Sequence, residues 1–144
     1  MPSGPRVEVS TVIKSPVETV FDAWLTPARL ATFLCAGDTH VSAIEVDARV
    51  GGEFRVVMTN NRGSYDHRGR YLEIDRPRRL RFTWVSNATK GTETEVTVTF
   101  ESVDGGTRLV LVHIGLVDDH SATRHHGGWQ SILAKCAELF APAA

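Results

Sequence analysis

Apolar and polar residues alternate along most of this chain, and helical spacing interrupts the alternation at two places. Val7, Val9 and Ile13 against Glu8, Ser10 and Lys14 make residues 6–14 a first strand with one mostly apolar face. Ser15-Pro16 then starts a helix, with Glu18 placed to complete a capping box, and Val17, Val20, Phe21, Trp24 and Leu25 follow helical steps. Thr26-Pro27 repeats the start signal, and Leu30, Phe33 and Leu34 stripe a second short helix. Strand spacing returns for about eighty residues, over 41–47, 53–59, 65–75, 79–86, 96–100 and 107–115. Turns separate these runs at Val50-Gly51-Gly52, Asn60-Asn61-Arg62-Gly63, Arg76-Pro77-Arg78 and Asp104-Gly105-Gly106, with a longer loop over 86–92. From 118 to 144 the steps are helical again: Trp129, Ile132, Leu133, Cys136, Leu139 and Phe140 share one stripe. Asp118, Asp119 and Ser121 are its N-cap candidates, and acidic groups suit the positive end of the helix dipole.

This order predicts an α+β domain spanning 1–144: a strand, two short helices, a six-strand antiparallel meander and a long helix. Two short helices cannot cover one apolar face of seven strands, so the last helix must lie across the sheet. A strongly twisted sheet gripping one helix leaves a gap along it, and that gap is the expected ligand site.

Composition narrows the function without choosing it. Apolar residues are 42% and charged residues 23% of the 144, with a net charge of −1, so no electrostatic case exists for nucleic acid or an anionic membrane. No apolar run has the length of a membrane span, and Met1 to Arg6 lacks the apolar stretch of a signal peptide, so the cytoplasm is the expected location. Cys35 and Cys136 lack metal-like spacing and are expected as two buried thiols.

Asp47-Ala48-Arg49-Val50-Gly51-Gly52-Glu53-Phe54 matches a D-x-R-x-G-G-x-F signature. Gly69-Arg70-Tyr71-Leu72-Glu73-Ile74, the run Arg76 to Trp84, the strand Thr107 to His113 and Gly128-Trp129 follow in the same family's order. Together they resemble the AHSA family, named for homology to the C-terminal domain of the activator of the 90-kDa heat-shock chaperone's ATPase. That family belongs to the START-like (SRPBCC) superfamily, with the birch-pollen allergen and the polyketide cyclases. The resemblance implies a helix-grip fold, a seven-stranded curved antiparallel sheet wrapped on a C-terminal helix, with an internal cavity. Phe33 stands where the family's second helix often carries Trp. The sequence has no counterpart of the co-chaperone's N-terminal domain, so chaperone activation is not expected to carry over.

The expected cavity wall is Phe54, Val56, Met58, Tyr71, Phe82, Trp84, Val98, Phe100, Leu111, His113, Trp129 and Leu133, an aromatic-rich set suited to an apolar or ring-bearing ligand. A bulge near Leu72 to Ile74 would decide which face Tyr71 takes. His113 reads as a polar anchor, as a proton donor or acceptor in a cyclase- or dehydratase-like enzyme, or as a core histidine bonded to backbone. His126, three residues before Trp129, is the other inward candidate. His125 and His126 diverge by about 100° on a helix, so Asp118, Asp119, His120, His125 and His126 do not make a metal set, and no cofactor is expected. Gly127-Gly128 marks either a close approach of the helix or a break in it. Arg76, Arg78, Arg79 and Arg81 read as the wet face of a sheet. The expected function is small-molecule binding by a monomer or homodimer. An enzyme using His113 and a chaperone-associated module are the alternatives.

Overall fold

The computed structural model describes residues 4–140; the readings made for 1–3 and 141–144 lie outside them. The order is β1 (Val7–Ile13), α1 (Val17–Ala23), α2 (Pro27–Phe33), β2 (His40–Val46), β3 (Glu53–Asn60), β4 (Gly63–Asp75), β5 (Arg79–Trp84), β6 (Thr94–Val103), β7 (Gly106–Ile114) and α3 (Asp119–Leu139). All strand pairs are antiparallel, in the order β1-β7-β6-β5-β4-β3-β2. The two strands flanking the short helices are thus the two edges of the sheet, and α1–α2 carries the chain from one edge to the other. This is the α+β helix-grip architecture, with the curled sheet closing on α3.

Local signals explain most of the element ends. Asp118 caps α3 by accepting the Ser121 N–H at 2.8 Å, and Lys90 adds an ion pair to the same carboxylate at 2.7 Å. The capping box expected at Ser15 does not form: α1 starts from Pro16 with no side-chain cap. Thr26 precedes α2 as foreseen, but its hydroxyl donates back to the Asp22 carbonyl at 2.7 Å instead of capping. The loop after β5 contains a 3₁₀ turn, Asn87–Thr89, closed by a reciprocal pair: Ser86 Oγ accepts from Ala88 N–H, and Thr89 Oγ1 accepts from Ser86 N–H. That box is written in the sequence as Ser86 with Thr89 three residues on, and the loop reading passed over it.

The core has two aromatic groups. Phe21, Trp24, Phe33 and Phe100 pack under α1 and α2 with ring centroids 5.1–6.4 Å apart. Phe54, Tyr71 and Phe82 pack together farther along the same face of the sheet, with Phe54 5.4 Å from each of the others. Gly69 makes the second group possible, since a Cβ there would strike the Phe54 ring and the Thr83 carbonyl. The register of β4 on β5 shifts between Tyr71 and Glu73, leaving Tyr71 inward opposite Phe82 and Glu73 opposite Arg81. On the outer surface Arg76 pairs with Asp22, Arg78 with Asp75, Arg79 with Glu73, and Arg81 with Glu73 and Glu95. Their charge is matched by neighbouring carboxylates, that of Arg76 on α1 and those of the other three on the strands. The α3 stripe holds through Cys136, but Leu139 turns outward at 38% exposure. Phe140 is half-buried, with the Arg29 guanidinium 5.3 Å from its ring centre. No helix among the described residues is long and apolar enough to cross a membrane.

Candidate functional site

The inward face of α3 is Ser121, His125, Trp129, Ile132, Leu133 and Cys136, a ridge in steps of three and four that meets the sheet along its length. Near the middle of that ridge Trp129 meets Trp84 of β5, ring centres 4.9 Å apart and tilted by 52°. Alongside the pair lies a cleft of about 560 Å³, bounded by α3, the chain after α2, the β3–β4 hairpin and the 3₁₀ turn. Met58, Trp84, Trp129 and Ile132, each only 2–3% exposed, form its apolar floor, and the half-buried His67 and the buried His125 add polar groups. Tyr65 and an ion pair, Arg62 to Asp38 at 3.0 Å, lie at its margin.

Each histidine is held differently. His113, fully buried, accepts the Trp129 indole N–H on Nδ1 at 3.0 Å and faces Thr94 Oγ1 with Nε2 at 2.7 Å. Thr94 Oγ1 also donates to the Trp84 carbonyl at 2.5 Å. Nδ1 is therefore the bare nitrogen and Nε2–H donates to Thr94, a neutral imidazole with both nitrogens engaged. Burial pushes its pKa down to about 3, with the nearby His125 adding to the effect. The His125 ring meets that of His113 edge-on at 4.8 Å, and its Nδ1 is 2.7 Å from the Ser121 carbonyl. His67 lies 5.0 Å from Trp84, its Nδ1 3.0 Å from the Tyr65 carbonyl. Burial lowers the pKa of both. No group of three or more His, Cys, Asp or Glu able to hold a metal ion occurs among the described residues.

Of the residues expected at the cavity, Met58, Trp84 and Trp129 line this cleft. Phe54, Tyr71 and Phe82 pack on one another, and Val56, Val98 and Leu111 are buried within the sheet's inner layer. Phe100 closes on Phe21 and Trp24. Leu133 faces β1, away from the cleft. His113 stands behind Trp129, outside the lining. The sequence reading gave no cavity role to His67 or Tyr65, and weighed His125 only within the rejected metal set. The inward histidine of α3 is His125, with His126 exposed, because the ridge approaches Trp129 in steps of four from Ser121. Tyr65 and His67 share the β4 face of Tyr71 by period-two alternation, a signal available in the sequence.

The two glycines sit in an unbroken helix. A Cβ on Gly128 would lie 3.4 Å from the Ala36 Cβ, so this glycine sets how closely the chain after α2 approaches α3. A Cβ on Gly127 would meet nothing within 4 Å: the position is exposed, two helical steps of about 100° from both His125 and Trp129, on the outer side of α3. The adjoining wall is tied to α3 by Lys135, which donates to the Cys35 and Gly37 carbonyls at 2.6 and 2.8 Å, and by Ser131, which accepts the Gly37 N–H at 2.9 Å. Opposite, Ser121 Oγ donates to the Ala88 carbonyl at 2.7 Å and holds the 3₁₀ turn.

Among curated proteins none matches the chain. Among solved structures, a Chromobacterium violaceum protein is 28% identical, with a TM-score of 0.87 over 96% of this chain and 98% of that one. The AHSA1 protein from Silicibacter pomeroyi is 29% identical, with a TM-score of 0.82 over 94% and 96%. The AHSA1-like protein from Aeromonas hydrophila is 28% identical, with a TM-score of 0.75 over 93% and 90%. The family described as Activator of Hsp90 ATPase homolog 1-like protein matches residues 14–141, nearly the whole chain, and this protein belongs to that family.

Proposed function

We propose that the cleft between α3 and the sheet binds a small apolar or aromatic molecule, lying over the Trp84–Trp129 pair and oriented by His125 and His67. The observation that carries this reading is the pairing of an open cleft of about 560 Å³ with two tryptophans at its floor and two histidines, one buried and one half-buried, in its lining. Ligand pockets of small molecules span about 300–1,000 Å³ and combine apolar walls with a few placed polar groups. Binding is favoured over proton transfer because burial leaves both cleft histidines weak bases. His113, with both nitrogens engaged, serves by holding Trp129 in place.

Native mass spectrometry of the protein purified from its own host tests the reading. A retained small molecule that leaves on mild activation supports it. A bare chain in repeated preparations, with no added aromatic compound held, contradicts it.

A further inference from the structure

The Nδ1 atom of His125 faces a carbonyl oxygen, which can only accept, so Nδ1 carries the ring's proton. A buried imidazole that stays neutral then has a bare lone pair on Nε2. Among the described residues Nε2 has no hydrogen-bond partner and keeps some access to water, in a residue that is only 8% exposed and lines the cleft. An acceptor in that position constrains what can cover it. A hydrocarbon would strip Nε2 of water and give nothing back, and an ether or ketone would set a second lone pair against the first. A ligand carrying O–H or N–H on its edge satisfies the nitrogen while its ring face lies over the apolar floor of the cleft.

We propose that the cleft selects flat aromatic molecules bearing a ring hydroxyl or ring N–H, the phenol and indole class, and that His125 Nε2 accepts from that group. This rests on the ligand-binding reading above and adds the feature by which one aromatic molecule is told from another. Ser121 is the positioning residue: its carbonyl fixes the tautomer, and its hydroxyl holds the 3₁₀ turn beside the histidine. The discrimination follows from leaving a buried acceptor unpaired, worth about five- to tenfold in affinity.

The test uses the full chain and three probes sharing one ring system: 2-naphthol, 2-methoxynaphthalene and 2-fluoronaphthalene, titrated at neutral pH with tryptophan fluorescence as the readout. 2-Naphthol is expected to bind about five- to tenfold more tightly than either of the others, and His125→Phe is expected to bring all three together. The fluoro probe is smaller than the ether and also lacks a donor, so the wild-type comparison stands even if the variant does not fold. Equal binding of all three overturns the donor proposal and leaves the cleft reading standing. A fluoro probe that binds like naphthol, or a preference that survives in His125→Phe, overturns it too, since shape then explains the order. Absence of saturable binding for every probe overturns this proposal together with the cleft reading.

Discussion

The Trp129 indole N–H donates to Nδ1 of His113 across 3.0 Å in the interior of the protein. From there the chain of bonds runs through Thr94 Oγ1 to the Trp84 carbonyl. The two tryptophans of the cleft are thus the two ends of one hydrogen-bonded relay crossing α3, β7, β6 and β5. His113 fixes the spacing of the cleft's aromatic surfaces from behind.

Replacing His113 with Leu keeps the volume but leaves the Trp129 N–H buried without an acceptor. Stability is expected to fall by about 1–3 kcal/mol, the cost of an unsatisfied buried group. Urea unfolding followed by circular dichroism measures the loss. An unchanged midpoint would mean that the relay contributes nothing.

The same histidine makes the fold sensitive to acid. Its folded pKa of about 3 lies below the ordinary value of 6.5, so the unfolded chain binds the proton more readily. The contribution is complete above pH 6.5 and is lost as pH falls toward 3, at up to about 1.4 kcal/mol per unit from His113. His67 and His125 shift in the same direction and steepen the slope. Unfolding midpoints are expected to hold from pH 7.5 to about 6.5 and to decline from there to pH 4.5, less steeply in His113→Leu.

Much of this architecture is legible in the sequence, because period two and period 3.6 are direct consequences of which face is buried. The strands, the hairpin at Asp104-Gly105-Gly106, the cap at Asp118 and the helix lying over the sheet all follow from such local signals. The cleft does not. Phe54, Tyr71, Phe82 and Phe100 have the pattern of cavity-wall residues, yet the first three fill space against one another and Phe100 against Phe21 and Trp24, because ring packing depends on long-range pairing of strands and helices. Choosing His125 over His126 required the exact phase of α3, which one helical step of about 100° decides.

Both thiols are buried, and burial pushes that of Cys136 up to about 12. At pH 8 an aromatic disulfide reagent is expected to label neither Cys35 nor Cys136 in the folded protein, and both after unfolding. Labelling of Cys136 at the rate of a free thiol in native buffer would show that α3 opens from the sheet.

Lys135 ties Cys35 and Gly37 to α3. In Lys135→Met the aliphatic stem remains and the donors are lost, so stability is expected to drop by about 1–2 kcal/mol. Amide hydrogen exchange at residues 36–39 is expected to quicken relative to β6 and β7. A uniform change across the chain would instead place the effect on global unfolding.

Gly128 offers the most direct test of the cleft. It lies one helical step of about 100° from Trp129, on the side of Ala36, and both Gly128 and Ala36 line the cleft. A leucine there takes up the space between α3 and the chain after α2. Titration of 2-naphthol into wild-type and Gly128→Leu proteins, read by tryptophan fluorescence, is expected to give saturable binding in the first. In the second, affinity is expected to fall at least about tenfold while circular dichroism shows the fold retained. Equal affinity in the two folded proteins, or no saturable binding in either, would contradict a ligand site between α3 and the sheet.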